Sequence, residues 1–331
     1  MNHRIVLAKH PIGMPTLETF RMDIGSIQEP QQEEVLIQAL YLSVDPYMRG
    51  RLGGRPSSHP PFMLNHCING DGIGQVIQSK SSHFREGDLV TGNLDWADFS
   101  IREAATLQKV IASDIPLKAY LGPLGMTGMT AYFGLIDIGA PIAKETVVIS
   151  GAAGAVGMFV AAIAKNKGCR VVGITGSDEK ASRLKNELFV DEAVNYTSPT
   201  FFEALTHACP AGIDIYFDNV GGSVTDAALA LINKRARIIL CGQISTYNSN
   251  APDIGLRPFR TLIVKSAQAR GFVVWDYKER FSEGMSEVTK MILEGKMKWH
   301  ETIHHGLENL PQAFLGLFSG ENFGKQLVQI K

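Results

Sequence analysis

The chain has 331 residues, 45% of them hydrophobic and 20% charged, with Lys+Arg 32 against Asp+Glu 33 and a net charge of −1. That length suits two domains, and the profile is globular rather than disordered or fibrous. Balanced charge with no long basic tract argues against nucleic acid or an anionic membrane as partner. No apolar run approaches the roughly 20 residues of a membrane span, and Met1–His10 lacks the order of a signal peptide, so a cytoplasmic location is expected.

The first third reads as β-rich. Glu34–Leu42, Gly72–Ser79 and Asp88–Gly92 are short apolar or alternating runs, separated by turns rich in Gly, Pro, Ser and Asn. Gly53–Pro61 is a breaker-rich loop. From Thr146 the rhythm changes to strands and helices in alternation. The strands are Thr146–Ser150, Arg170–Thr175, Glu192–Tyr196, Ile213–Asn219 and Arg237–Gly242, with Ala269–Val274 as a sixth. The helices between them are Val156–Lys167, Asp178–Leu188, Pro199–Ala208 and Ser223–Leu231, and Asp276–Glu294 follows as a long amphipathic helix. This alternation predicts an α/β fold, a doubly wound parallel sheet with helices on both faces. The alternating run Lys325–Ile330 predicts a terminal strand that returns to the first domain. The expected organisation is an outer domain of residues 1–122 and 297–331 around a nucleotide-binding domain of residues 123–296.

The strongest motif is Gly151-Ala152-Ala153-Gly154-Ala155-Val156-Gly157, after a strand and opening a helix. A pyrophosphate must approach backbone N–H groups at the positive helix end, where a Cβ would block it. Gly154 and Gly157 fit the second and third glycines of GxGxxG, while Ala152 replaces the first. Enzymes that use NAD place an acidic residue about 20 residues further on for the ribose 2′-hydroxyl. Here the second strand ends in Thr175-Gly176-Ser177, with Lys180 and Arg183 just beyond. Small residues and cations suit a 2′-phosphate, hence NADPH. Asp178, in the first turn, is expected to cap its helix. Tyr196 is placed for the adenine or the phosphate, and Asn219, after the fourth strand, for the nicotinamide side.

Cys67, Cys169, Cys209 and Cys241 are scattered without a CxxC pair, so neither a disulfide framework nor a structural zinc is indicated. Cys241 ends a strand beside the expected cofactor, where a reactive thiol would matter.

Several segments resemble the medium-chain dehydrogenase/reductase superfamily, and within it the zinc-free branch of leukotriene B4 dehydrogenase/prostaglandin reductases, plant double-bond reductases and bacterial curcumin reductases. They are residues 42–50 (LSVDPYMRG), 124–132 (LGMTGMTAY), 151–157, 176–180 (GSDEK), 217–222 (FDNVGG), 241–248 (CGQISTYN) and 320–325 (GENFGK). The resemblance implies a GroES-like β-barrel domain beside a Rossmann domain, a homodimer, and NADPH-dependent reduction of the C=C bond of α,β-unsaturated ketones and aldehydes. It implies cofactor contacts from Lys180, Tyr196, Asn219, the turn containing Cys241, Gly242, Ile244, Ser245 and Tyr247, the segment Phe272, Val273 and Val274, and Asn322. Zinc relatives carry Gly-His-Glu where this chain has Asn69-Gly70-Asp71, so Gly70 replaces a ligand histidine and no metal is expected. His59, His66, His304 and His305 read as surface or loop histidines.

Without a metal, a hydroxyl donor must hold the enolate that develops as hydride reaches the β-carbon. Tyr247 is the first candidate and Tyr47, facing the cleft from the other domain, the second. Pocket lining alone is the competing role for both. Residues 248–260 read as a mobile lid, and Arg257 and Arg260 fit an acidic substrate, the cofactor phosphate or, equally well, plain surface charge. A quinone reductase, an allylic alcohol dehydrogenase and a non-catalytic NADPH-binding module remain as alternative functions.

Overall fold

The computed structural model describes residues 1–53, 57–110, 114–255 and 259–331. The chain divides into two compact units. One comprises Met1–Leu121, Glu301–Asn322 and Gln326–Lys331, and the other comprises Gly122–His300 and Phe323–Lys325.

The first unit opens with an antiparallel pair that the sequence reading passes over, β1 (Asn2–Leu7) and β2 (Phe20–Gly25). Then follow β3 (Glu34–Ser43), the short helix α1 (Met48–Arg51), β4 (Asn69–Ser79), β5 (Leu89–Asp95), β6 (Phe99–Glu103) and β7 (Gln108–Lys109). β3 is the spine: β4 pairs along one edge, and β6 takes the first half of the other edge. Its core gathers Ile5, Leu7, Val35, Ile37, Leu42 and Trp96, each worth about 1.5–3 kcal/mol when fully buried.

The second unit begins with α2 (Met126–Phe133), which loosens into a wider turn over Gly134–Gly139. β8 (Thr146–Ser150) and α3 (Ala155–Asn166) follow, then β9 (Arg170–Thr175), α4 (Asp178–Glu187), β10 (Glu192–Asn195), α5 (Phe201–Ala208), β11 (Ile213–Asp218), α6 (Gly222–Ala230) and β12 (Ile232–Leu240). α7 (Phe259–Lys265), β13 (Gln268–Gly271) and α8 (Phe281–Leu293) complete it. The six strands are all parallel, in the order β10-β9-β8-β11-β12-β13. All five residues of β8 are buried, as a strand covered on both faces requires. α3 buries eight of its twelve residues, and its small side chains let it pack between the sheet and α2.

β14 (Glu301–His305), α9 (Leu310–Ser319) and β15 (Lys325–Gln329) close the chain. β15 pairs antiparallel with β3, Leu327 opposite Ser43, so the expected return to the first domain is present. No described helix is long and apolar enough to cross a membrane.

Three expectations need correction. Residues 297–300 and 323–325 belong to the second unit, where Gly324 N–H donates to Ala153 O (2.8 Å) and Lys325 N–H to His300 O (2.9 Å). The segment Phe272–Val274 leaves the sheet, since β13 ends at Gly271. The long helix from Asp276 instead starts as a tight 3₁₀ turn, Val274–Arg280, ahead of α8. That turn lays Tyr277 flat on Phe133, with centroids 4.8 Å apart, while Phe281 covers the same ring at 6.1 Å. Residues 54–56 of the breaker-rich loop, and Arg257 of the expected lid, lie outside the described residues. Arg260 is exposed in α7.

Candidate cofactor and hydride-transfer site

Strand order reverses between β8 and β11, and the crevice outside the carboxyl ends of such strands is where ligands bind in open α/β sheets. Gly151, at φ +62°, carries the chain out of β8, and Gly154 N–H donates back to Gly151 O at 2.9 Å. α3 then starts so close to the turn that a Cβ on Gly157 would stand 2.5 Å from Gly151 O and 2.6 Å from Ala152 Cα. Gly154 is the helix N-cap and offers no side chain. The first helical amides, Ala155, Val156 and Gly157, have no carbonyl partner within the helix and sit at its positive end. They form a cradle for a diphosphate. Ala153 supports it from behind by accepting the Gly324 N–H.

The end of β9 carries the second cluster. Thr175 is buried, and its carbonyl accepts the Tyr196 N–H at 2.9 Å. The Tyr196 ring lies over Gly176, where an added Cβ would meet its hydroxyl at 3.3 Å. Ser177, not Asp178, caps α4: Lys180 N–H donates to its Oγ at 3.2 Å. Asp178 instead accepts from Asn195 Nδ2 at 3.1 Å. The Ser177 hydroxyl keeps its own proton to donate. Lys180 is half-buried, and this desolvation, with the Arg183 charge nearby, lowers its pKa from the ordinary lysine value against the pull of Glu179. A phosphate beside it would relieve that penalty. Arg183 is engaged elsewhere, bonding Glu187 one helical turn on (2.9 Å) and stacking on the Phe323 ring at 3.7 Å.

The third cluster lies beyond β11 and β12. Asn219 donates its side-chain N–H to Ser150 O (2.8 Å), which fixes the amide plane at the strand edge. Cys241 and Gly242 donate their N–H groups to Asp218 O, at 2.9 and 3.0 Å. Ile244 and Ser245 are tied to the turn after Asn219, the Ser245 hydroxyl donating to Val220 O at 2.6 Å. Tyr247 lies over Gly242 and its hydroxyl accepts the Gln243 N–H at 3.4 Å. Burial raises the Tyr247 pKa, so the phenol stays protonated and its proton is available to an acceptor. Burial and the Asp218 charge push the Cys241 thiol up to about 12, which makes it a poor nucleophile. Phe272 packs on Gly134, Val273 is exposed and Val274 is buried.

Tyr47 and Asn322 lie in the first unit, and every other residue of the expected site lies in the second. Tyr47 stacks on His59, with centroids 4.8 Å apart, and its hydroxyl bonds Arg51 beside Asp71 and Asp45. Burial, reinforced by these carboxylates, pushes its ionisation far up. His59 is a loop histidine that also packs on Tyr47, and His304 and His305 belong to β14, with His305 exposed. Gly70 is buried in β4 and offers no ligand atom. Among the described residues, no three His, Cys, Asp or Glu side chains are grouped to hold a metal ion.

Sequence reasoning overlooked Ser150, Asp218 and Thr225, which organise the third cluster. The signal was available: a Ser and an Asp are the last residues of two strands that are neighbours once the strand order is known.

Comparison with known proteins matches residues 3–110 to the N-terminal domain of oxidoreductases and residues 155–290 to a domain described as zinc-binding dehydrogenase. The Bacillus subtilis protein YfmJ, which bears the name of an NADP-dependent oxidoreductase, is 52% identical over 99% of this chain and 97% of its own length. The NADPH-dependent curcumin reductase of Escherichia coli is 41% identical, and the NADP(+)-dependent 2-alkenal reductase of Nicotiana tabacum 40% identical, over the same shares of each chain. The crystal structure of CurA from Vibrio vulnificus in complex with NADPH superposes with a TM-score of 0.94 at 40% identity, covering 99% of each chain.

Proposed function

Because this chain belongs to the zinc-independent branch of the medium-chain dehydrogenase/reductases, we propose that it uses NADPH to reduce the C=C bond of α,β-unsaturated ketones and aldehydes. The carrying observation is the alignment of three clusters along one sheet edge. These are the first amides of α3 behind a glycine N-cap that offers no side chain, a desolvated lysine beside Ser177, and a protonated tyrosine at the far end. The amides of residues 155–157 hold the diphosphate, while Ser177, Lys180 and Tyr196 hold the 2′-phosphate and adenosine. Asn219, the 241–247 segment and residues 272–274 border the nicotinamide. Asn322 is assigned to the same cofactor on family resemblance alone. Bound there, NADPH supplies the hydride that reaches the substrate's β-carbon.

The residues of the chain handle the other half of the reaction. Charge collects on the carbonyl oxygen as the β-carbon is reduced, and an O–H donor stabilises that enolate. Tyr247 is the donor we assign, since its hydroxyl accepts from Gln243 N–H and keeps its own proton for the substrate. The α-carbon then takes its proton from solvent or from this phenol. Tyr47, whose hydroxyl accepts from Arg51, is the second candidate.

Purified protein offered enones, 2-alkenals, quinones and allylic alcohols, with NADPH and NADH in parallel, tests the proposal by loss of nicotinamide absorbance. Enone turnover with NADPH at least about tenfold above NADH is expected, that ratio being 1.4 kcal/mol of discrimination. Preferred turnover of quinones, or oxidation of allylic alcohols alone, would reassign the activity. No turnover of any substrate, with NADPH bound, would leave a binding module.

We also propose a cytoplasmic homodimer. Its support is the open edge of the sheet: all four residues of β13 are exposed, and Phe259, Ile263 and Val264 of the neighbouring α7 are 69%, 78% and 69% exposed. An uncovered strand edge beside apolar side chains is a template for a second copy. Sedimentation equilibrium giving one chain mass at micromolar concentration would refute the dimer, and cell fractionation tests the location.

A further inference from the structure

Two polar side chains sit in the middle of an apolar sheet. Ser150 ends β8 and Asp218 ends β11, and both are 0% exposed. Five neutral donors meet the Asp218 carboxylate. Ser150 Oγ (2.9 Å), Tyr216 OH (3.0 Å), Val220 N–H (3.1 Å) and Gly221 N–H (3.0 Å) reach Oδ1, and the Thr225 hydroxyl reaches Oδ2 at 2.7 Å. Four donors converge on one oxygen, and the Val220 N–H is shared between it and Ser150 Oγ (3.2 Å).

These bonds form a chain leading to the reacting end of the site. Ser150 Oγ in turn accepts Asn219 N–H at 2.8 Å, so the residues after β11 are gripped from two strands. The backbone carbonyl of Asp218 receives Cys241 and Gly242, and the carbonyls of Asn219 and Val220 receive Ile244 and Ser245, at 3.3 and 3.1 Å. Gln243 N–H, on the same segment, meets the Tyr247 hydroxyl. Asp218 thus ties β8, α6, the 219–222 turn and the 241–247 segment into one piece.

We propose that Asp218 is a positioning residue for hydride transfer: its carboxylate holds the 219–222 turn, the carbonyls of Asn219 and Val220 there carry Ile244 and Ser245 of the 241–247 segment, and the Tyr247 hydroxyl is placed through them. The proposal rests on the reading of Tyr247 as the donor to the substrate oxygen. Asp218 touches neither substrate nor cofactor in this account, and it acts through Tyr247.

The experiment is a double-mutant cycle on kcat with 3-penten-2-one, with NADPH binding followed by its fluorescence. Asp218→Asn keeps the shape but weakens the four-donor oxygen. Its expected effect is a roughly tenfold drop in kcat in the wild-type background and less than about twofold in Tyr247→Phe, the non-additivity of residues acting as a unit. NADPH affinity is expected to weaken by no more than about threefold, well short of the loss in kcat. Asp218→Ala should be worse, with Asp218→Asn recovering most of the loss. Where an Asp218 variant does not fold, Ser150→Ala takes its place in the same cycle. Equal losses in both backgrounds, or no loss in the wild type, overturn the positioning role while leaving Tyr247 its own. A Tyr247→Phe enzyme with full kcat instead overturns the reading of Tyr247, and the positioning role with it.

Discussion

Two glycines three residues apart in the same turn should respond differently to one added methyl group. A Cβ on Gly157 would sit 2.5 Å from Gly151 O and 2.6 Å from Ala152 Cα, both backbone atoms that cannot swing aside. Gly157→Ala must therefore push α3 away from the turn. An overpacking cost of about 1–3 kcal/mol follows, which in a unit of this size lowers Tm by roughly 2–12 °C. Gly154 has φ −86° and ψ 172°, a conformation alanine adopts freely, and its Cβ meets only Gly151 O at 3.3 Å. Gly154→Ala should fold with near-normal Tm. Its methyl group would occupy the space above the amides of Ala155 and Val156, where the diphosphate is placed. Losing one amide-to-phosphate bond costs about 1.5–3 kcal/mol, which is roughly a 10- to 150-fold rise in Kd. Thermal melts with and without NADPH, together with a fluorescence titration, separate the two effects. A Gly154→Ala protein with wild-type NADPH affinity would falsify the placement of the diphosphate, and a Gly157→Ala protein with unchanged Tm would refute the steric argument.

Lys180→Ala should weaken NADPH by about tenfold or more and leave NADH unchanged, since only the phosphorylated ribose offers a partner for the charge; equal effects on both cofactors would remove the assignment. The lowered pKa of Lys180 also sets a pH dependence. Its cationic form is the binding form, so NADPH affinity should fall with rising pH from a lower pH than an exposed lysine would give, while NADH affinity stays flat. Parallel profiles for the two cofactors would contradict this. Tyr247→Phe should reduce kcat by about 100-fold with little change in NADPH Kd, whereas the raised pKa of the phenol predicts no loss of kcat at the ordinary tyrosine value. An alkaline limb at that value, absent from the Phe variant, would mean that the phenol ionises normally. Gly324→Ala would place a Cβ 1.9 Å from His300 O at φ +82°. Melts should show a loss of more than about 2 kcal/mol with a smaller protective shift from NADPH, and an unaltered melt would rule out the contact.

The sheet was legible because its central strands are buried on both faces. Runs such as Thr146–Ser150 and Arg170–Thr175 are apolar without alternation, and their spacing leaves room only for a crossover helix. The glycine turn was legible for a steric reason that sequence carries directly. Hydrogen bonds among distant residues were less legible. Asp178 and Ser177 are both acceptable caps by type, and only the backbone at Ser177 decides between them. Arg183 resembles a phosphate ligand until Phe323, 140 positions away in the chain, stacks beneath it. Residues 276–280 read as the start of a long helix, yet Tyr277 stacks on Phe133 and the segment takes the tighter turn.

The contact between Gly324 and Ala153 also affects the order in which the chain can mature. A ribosome emits the glycine turn long before residue 324, so that turn waits half the polypeptide for its backing. β3 waits even longer for the strand that pairs with Tyr41–Ser43. Both units are thus completed by residues 324–329, and synthesis halted before that segment leaves each of them without its backing.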